Sequence, residues 1–131
     1  MDPARTKRRI LVVDDDDDLR QTIGDVLALT GHDVVQAVDG RAALAQLRAT
    51  RFDLILTDLR MPGMDGWELL AALRTDWRLE HIPVCVVSAE AEAGLPLPAS
   101  TRFIRKPFEL AALVRIVNEV LARSSCHRCA A

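Results

Sequence analysis

The stretch FDLILTDLRMPGMDGWELL, residues 52–70, decides the fold. Its apolar first part predicts a buried strand that ends at the carboxylate of Asp58. Residues 62–66, PGMDG, then predict turns, and the following residues return to helical spacing, so the order is strand, loop, helix. A carboxylate at such a junction lies at the carboxyl end of a strand, where open α/β sheets bind their ligands. Asp58 is therefore a candidate functional residue, although Asp is also common in ordinary loops after strands.

Length and composition describe one ordinary globular domain. The chain has 131 residues, of which 50% are apolar and 27% charged, and its net charge is −2. That length suffices for a single buried core, and no excess of positive charge favours a direct nucleic-acid partner. Because we find no signal peptide and no run of about 18 apolar residues, we expect a cytoplasmic protein that does not contact membranes.

Both ends of the chain are predicted to be flexible. Residues 1–8 form a short basic leader, for which a phosphate-binding arm is the alternative. Residues 124–131 form a tail in which Cys126, His127 and Cys129 lie close together in sequence. Such a group cannot complete a closed tetrahedral zinc site by itself, so a plain tail is preferred to metal or redox chemistry.

Between those ends, strands and helices alternate. Apolar runs and helical spacing predict strands at 9–13, 34–38, 52–57, 82–87 and 103–105, and helices at 19–30, 42–47, 67–77 and 108–123. Alternation of this kind is typical of an α/β fold with a parallel sheet and right-handed crossovers. We therefore expect one α/β domain over residues 9–123.

Polar residues follow four of the predicted strands. Asp14 and Asp15 follow the first strand and open a run of five aspartates, Asp58 follows the third, Ser88 the fourth and Lys106 the fifth. The carboxyl ends of parallel strands lie along one edge of a sheet, so these side chains are expected to meet there. Polar residues placed at random would fall on helix faces as often, and the coincidence therefore indicates a functional site.

The chemistry of this set favours phosphoryl transfer. Two carboxylates a few ångströms apart repel by roughly 4 kcal/mol at an effective dielectric constant near 20, so the group needs a cation. Oxygen ligands favour Mg²⁺ or Mn²⁺ over zinc, while a lysine and a serine hydroxyl suit phosphate oxygens. Asp58 is then the nucleophile that forms an acyl phosphate. With no histidine in the set and no Walker loop in the chain, the phosphoryl group must come from another molecule.

Four spaced motifs carry a resemblance. VVDD at 12–15, TDLRMPGMDG at 57–66, VVSA at 86–89 and KPF at 106–108 together resemble the receiver domain of two-component response regulators, over about residues 8–123. The resemblance implies a flavodoxin-like doubly wound (βα)5 fold whose five parallel strands have the order 2-1-3-4-5. It also implies a signalling module that is not an enzyme, apart from phosphorylation and dephosphorylation of its own aspartate.

The resemblance implies a role for each residue at the phosphorylation site. Asp58 matches the phosphoacceptor and Asp15 the main Mg²⁺ ligand, with Asp14 holding the cation directly or through water. The backbone carbonyl of Arg60 matches a further metal ligand. The guanidinium of Arg60 either reaches the phosphate, and so changes the lifetime of the acyl phosphate, or points to solvent.

A second group of residues matches the family's switch. Ser88 corresponds to the hydroxyl that turns toward the phosphate, and Lys106 to the lysine that pairs with it, next to a Lys106-Pro107 bond that the family usually keeps cis. Phe103 occupies the position of the switch aromatic. Because Phe103 has no hydroxyl, its movement would be transmitted through packing alone.

The interval from Ser88 to Lys106 departs from the family. It is about four residues short, and Gly94, Pro96 and Pro98 leave at most one helical turn. We therefore expect the family's fourth helix, which lies between the fourth and fifth strands, to be shortened or replaced by a loop. This would alter the face that the family uses for output and dimerisation, unless the change is a neutral loop deletion.

Two functions follow from these observations. In the first, a sensor histidine kinase or phosphotransfer protein phosphorylates Asp58, and the rearranged surface binds a downstream protein partner or a second copy as a homodimer. Because these 131 residues hold no DNA-binding or catalytic domain besides the receiver domain, we expect output to pass by protein contact or the chain to be part of a longer protein. In the alternative, the chain is a constitutive docking or dimerisation module in which phosphorylation is uncoupled from output. A phosphatase is disfavoured, because such enzymes carry a second Asp where this chain has Arg60.

Overall fold

The computed structural model describes residues 7–89 and 101–130, with the side chains of residues 124–130 outside the description. These ranges contain five strands and four helices, in the order β1 Arg9–Val13, α1 Asp17–Leu29, β2 Asp33–Ala37, α2 Gly40–Ala49, β3 Leu54–Thr57, α3 Gly66–Arg74, β4 Val84–Ser88, β5 Thr101–Arg105 and α4 Leu110–Ala130.

The five strands form one parallel sheet in the order β2-β1-β3-β4-β5. This arrangement confirms the predicted fold class. The register also aligns the carboxyl ends of the strands, because Val13 lies opposite Thr57 and Ser88 lies opposite Arg105. The residues that follow these pairs are therefore brought to a common edge, which we call the carboxyl edge.

Helices cover both faces of the sheet, so the central strands are buried on both sides. On one face α2 and α3 pack their leucines against the odd-numbered side chains of β1, and on the other α1 and α4 pack against the even-numbered ones. The apolar runs that predicted the strands are explained by this two-sided burial.

Aspartates fix the starts of three helices. Asp16 accepts a hydrogen bond from the N–H of Leu19 at the start of α1, and Asp39 caps α2 in the same way. Asp65 and Glu68 form a reciprocal capping box at the start of α3. Part of the acidic run at 14–18 is therefore structural, since Asp16 serves as a helix cap.

Some predicted boundaries differ from the structure. α3 ends at Arg74 rather than at residue 77, because Asp76 forms a turn in which its carboxylate accepts the N–H of Arg78 at 3.0 Å. β4 begins at Val84 rather than at residue 82, since the preceding Pro83 has no N–H for the sheet ladder. α4 extends past residue 123 to Ala130, through a sequence without Gly or Pro.

The predicted shortening concerns the helix between β4 and β5, not α4. It falls on residues 90–100, which lie outside the described residues. β4 ends at Ser88 and β5 begins at Thr101, so twelve residues, 89–100, join two parallel strands. This is near the lower limit for a crossover connection, which is consistent with a shortened helix. The leader at 1–6 and the side chains of Cys126, His127 and Cys129 also lie outside the description, so the flexible ends stay predictions.

Candidate functional site

Three carboxylates meet at the carboxyl edge. Asp14, Asp15 and Asp58 each place a side-chain oxygen so that these atoms lie within 4.8 Å of one another. Asp14 and Asp58 are buried, whereas Asp15 is exposed. The parallel pairing of Val13 with Thr57 is what makes Asp14 and Asp58 neighbours. The acidic cluster predicted from the sequence is thus formed by the strand register.

Lys106 reaches the same point from β5. Its Nζ lies 2.9 Å from Oδ2 of Asp58 and 3.5 Å from Oδ2 of Asp14. The backbone N–H of Lys106 donates to the carbonyl of Ser88 at 3.0 Å, and the Lys106-Pro107 bond is cis as predicted. A cationic side chain therefore lies directly against the proposed phosphoacceptor.

The carboxylate of Asp58 is held from both sides. Oδ1 accepts the backbone N–H of Leu59 at 2.7 Å and that of Arg60 at 3.3 Å, while Oδ2 accepts from Lys106. The N–H of Asp58 donates to the carbonyl of Val13 at 3.1 Å. These contacts fix the orientation of Asp58 and bring the backbone of Arg60 beside it.

The charges at this edge are not balanced. Burial raises the pKa of Asp14, and the negative charges of Asp58 and Asp15 add to the rise, against a hydrogen bond from Asp16 and the charge of Lys106. Burial alone would lower the pKa of Lys106, but the hydrogen bond to Asp58 and the nearby carboxylates hold it above its ordinary value. When all three aspartates are ionised, the carboxylates of this cluster outnumber the ammonium of Lys106 three to one.

The donor set fits a hard divalent cation. Mg²⁺ binds oxygen ligands at about 2.1 Å in octahedral geometry, which places those oxygens about 3 to 4.2 Å apart. The three carboxylates, whose oxygens lie within 4.8 Å of one another, need only a small closure to reach these distances. We conclude that Asp14, Asp15 and Asp58 suit Mg²⁺, while the predicted role of the Arg60 carbonyl stays a prediction.

The predicted switch residues lie on β4 and β5. Ser88 is 1% exposed at the end of β4, and its backbone adjoins that of Lys106. Phe103 lies opposite Val86 and is half-buried against the core between the sheet and α2 and α3. The structure therefore brings Ser88 to the edge and leaves Phe103 on the sheet face, and their switching roles stay predictions.

Three residues near the site were not singled out as functional from the sequence. Trp67 lines an open cleft of about 560 Å³ beside Asp15, together with Arg60, which the sequence had already indicated. Gly66 donates its N–H to the carbonyl of Leu59 at 2.9 Å, and a Cβ at this position would collide with the carbonyl oxygen of Asp58. The third, Arg20, contacts the backbone of Asp14. The Asp65-Gly66 turn was visible in the sequence, but its close approach to Asp58 was not.

No helix within residues 7–89 and 101–130 combines the length and the apolar character that a membrane span requires.

Comparison with known proteins gives consistent matches. The family model of the response regulator receiver domain matches residues 10–118. The transcriptional regulatory protein PrrA of Mycobacterium tuberculosis is 41% identical over 128 residues, which cover 94% of this chain and 54% of PrrA. The chain thus spans about half the length of that relative. The chemotaxis protein CheY of Pseudomonas aeruginosa is 37% identical over 120 residues, which cover 88% of this chain and 97% of CheY.

Solved structures show the same fold. A CheY-like response regulator receiver domain protein from Methanospirillum hungatei superimposes with a TM-score of 0.83 at 26% identity, covering 92% of this chain and 98% of that one. The response regulator TrrA of Thermotoga maritima, solved in complex with Mg²⁺-BeF, gives a TM-score of 0.76 at 25% identity, covering 86% and 98%. By its motifs, its sheet order and these matches, the chain belongs to the response regulator receiver domain family.

Proposed function

We propose that the chain is the phosphoryl acceptor of a two-component, histidine-to-aspartate phosphorelay, phosphorylated on Asp58 in the presence of Mg²⁺. One observation carries the proposal: the oxygens of Asp14, Asp15 and Asp58 lie within 4.8 Å of one another, and Nζ of Lys106 lies 2.9 Å from Asp58. Acidic oxygens for a cation and an ammonium for a phosphate converge on one nucleophilic carboxylate.

In the proposed reaction an oxygen of Asp58 attacks the donor's phosphorus. An O–P bond forms to Asp58, and the bond from phosphorus to the donor breaks with its electron pair leaving on the donor. Mg²⁺, held by Asp14, Asp15 and Asp58 with the carbonyl of Arg60 as a further ligand, would neutralise charge on the phosphoryl oxygens. Lys106 exchanges its contact with Oδ2 of Asp58 for a contact with a phosphoryl oxygen.

Phosphorylation would then bias a switch. The phosphoryl group carries about −2 of charge and replaces the single negative charge of the Asp58 carboxylate, so it draws in Lys106 and the hydroxyl of Ser88. Movement of β5 would carry the change to Phe103, whose ring packs on the sheet face. Because Phe103 has no hydroxyl, the proposed signal is a change in packing.

The proposed partners follow from the reaction. A sensor histidine kinase or a phosphotransfer protein supplies the phosphoryl group in the cytoplasm, and a downstream protein, or a second copy of the chain, reads the altered surface. The chain matches nearly all of CheY, which supports output by protein contact from a stand-alone regulator. It matches about half of PrrA, which supports a receiver part of a longer protein. The proposal includes self-phosphorylation and self-dephosphorylation but no other catalysis.

Intact mass spectrometry tests the proposal. The protein is incubated with a small acyl phosphate or phosphoramidate, with Mg²⁺ or with a chelator, and compared with Asp58→Asn. We expect a gain of one phosphoryl group that requires both Mg²⁺ and Asp58. An unmodified wild-type protein under these conditions would refute the proposed function.

The constitutive docking module remains a second candidate because only twelve residues join β4 to β5. A shortened connection there would uncouple phosphorylation from the surface around β5. Amide exchange of residues 101–109, measured before and after phosphorylation, separates the two functions. A changed exchange rate supports the switch, and phosphorylation without any change supports the constitutive module.

A further inference from the structure

Arg20, in α1, joins three parts of the structure. Its Nη1 donates to the backbone carbonyl of Asp14 at 2.8 Å, its Nε donates to Oε1 of Gln36 on β2 at 3.1 Å, and its Nη2 lies 2.7 Å from Oδ1 of Asp17. The side chain of Arg20 is only 12% exposed. A guanidinium fork with separate contacts at all three nitrogens is well ordered, because each contact restricts the same planar group.

Together with two other hydrogen bonds, the contact from Arg20 holds the backbone and the side chain of Asp14 in place. Its N–H donates to the carbonyl of Ala37 at 3.2 Å, and its Oδ1 accepts the N–H of Asp16 at 2.9 Å. The carbonyl oxygen of Asp14 accepts from Arg20. The short connection between β1 and α1 is therefore tied to β2 on one side and to α1 on the other, and it carries the carboxylates of Asp14 and Asp15.

We propose that Arg20 is a positioning residue for the Mg²⁺ site. By holding the carbonyl of Asp14, it keeps the carboxylates of Asp14 and Asp15 within reach of Asp58. The inference deepens the proposed function and rests on Mg²⁺ binding there. Partners of this kind, which contact a ligand residue and not the metal, typically contribute about 10- to 100-fold to metal affinity.

The charge of Arg20 and its geometry predict effects of opposite sign. Removing a positive charge near an acidic site makes the site more negative, so charge alone predicts tighter Mg²⁺ binding by Arg20→Gln. Positioning predicts weaker binding by the same variant. Arg20→Lys keeps the charge but replaces the planar fork by a single ammonium, so charge alone predicts no change and positioning again predicts a loss.

The experiment measures the Mg²⁺ dissociation constant of the unphosphorylated protein by calorimetry. We expect Arg20→Lys and Arg20→Gln to bind Mg²⁺ about tenfold more weakly. Gln36→Met, which removes one anchor of the guanidinium and leaves its charge, should give a smaller loss. Arg41→Lys, at an exposed arginine in α2, is the matched control and should bind like the wild type. Thermal unfolding without Mg²⁺ confirms that each variant is folded.

Each alternative outcome is distinct. Wild-type affinity in Arg20→Lys and Gln36→Met, or tighter binding by Arg20→Gln, would overturn the positioning role and leave the proposed function intact. If the wild-type protein itself binds no Mg²⁺, the proposed function fails and the positioning role fails with it.

Discussion

Charged residues of the same types lie at both ends of the parallel strands: at the carboxyl edge and at the opposite end, which we call the amino edge. The two ends use these residues in different ways. At the amino edge, Arg9 donates its backbone N–H to Asp53 at 2.9 Å and pairs its guanidinium with Asp33 at 3.3 Å, where the side chains of Arg9 and Asp33 are 41% and 46% exposed. At the carboxyl edge, Lys106 faces Asp14 and Asp58, whose side chains are 4% and 11% exposed, and Asp15 adds a further charge.

The difference shows which set is structural and which is suited to binding. Exposed pairs such as Arg9 and Asp33 are solvated and cost the fold little. A buried excess of carboxylates lowers the stability of the folded state unless a cation joins it, so it is a poor device for stability alone. Burial combined with unbalanced charge therefore marks the carboxyl edge as the site, and the predictions below test that contrast.

The largest expected effect comes from adding a side chain at Gly66, where the backbone of Asp58 and Leu59 approaches closely. In Gly66→Ala the new Cβ would meet the carbonyl oxygen of Asp58 and lie 2.7 Å from the Cα of Leu59. Because backbone atoms cannot move aside cheaply, we expect a loss of about 3 kcal/mol in the free energy of unfolding, measured by urea denaturation. Gly63→Ala is the control, since a Cβ there has open space and only its φ of 75° opposes it, at about 1 kcal/mol. Equal losses in both variants would contradict the proposed close approach.

A matched pair of substitutions compares the two edges directly. Lys106→Met leaves Asp14 and Asp58 without their ammonium, and we expect it to lower the free energy of unfolding by about 1 to 3 kcal/mol without Mg²⁺. Arg9→Met should cost about 0 to 1 kcal/mol, because its ion pair is exposed. Adding Mg²⁺ should reduce the deficit of Lys106→Met, since the cation takes over the charge compensation, and should not affect that of Arg9→Met. A larger loss in Arg9→Met would reverse our assignment of the two edges.

The smallest expected effect is a gain in stability. Because burial and the neighbouring carboxylates raise the pKa of Asp14, its ionised form is disfavoured in the folded state. The folded protein therefore binds the carboxyl proton of Asp14 more tightly than the unfolded chain does. The free energy of unfolding falls as the pH rises from 3.8, the ordinary pKa of this carboxyl, through its higher pKa in the folded state. Asp14→Asn should therefore raise the Tm by several degrees at neutral pH without Mg²⁺, with a gain that shrinks toward acidic pH. A lower Tm at neutral pH would show that Asp14 stabilises the fold.

Much of this contrast was predictable from the sequence. Buried parallel strands read as apolar runs, and acidic or basic residues directly after them must share an edge. The structure brings Asp14, Asp58 and Lys106 together at that edge, as this pattern predicts. The cis bond at Lys106-Pro107 was predicted from the resemblance and confirmed. These features depend on local pattern and on the simple register of a parallel sheet.

The supporting contacts could not be read from the sequence. Arg20 looks like an ordinary helix surface residue, and its burial depends on how Gln36 and the connection after β1 approach it in space. Trp67 packs partly against the core, and it also lines the cleft beside Asp15. Such contacts depend on how separate elements approach one another in space, so neither periodicity nor composition carries a signal for them.

The central claim is that phosphorylation occurs at the carboxyl edge and needs Mg²⁺. Trypsin releases residues 52–60, FDLILTDLR, as one peptide that carries Asp53 from the amino edge and Asp58 from the carboxyl edge. Borohydride reduces an acyl phosphate to an alcohol, so the phosphorylated aspartate becomes homoserine, which fragmentation of the peptide locates. We predict homoserine at position 58 alone, and only when Mg²⁺ was present during phosphorylation. Homoserine at position 53, or at position 58 without any dependence on Mg²⁺, would contradict the account.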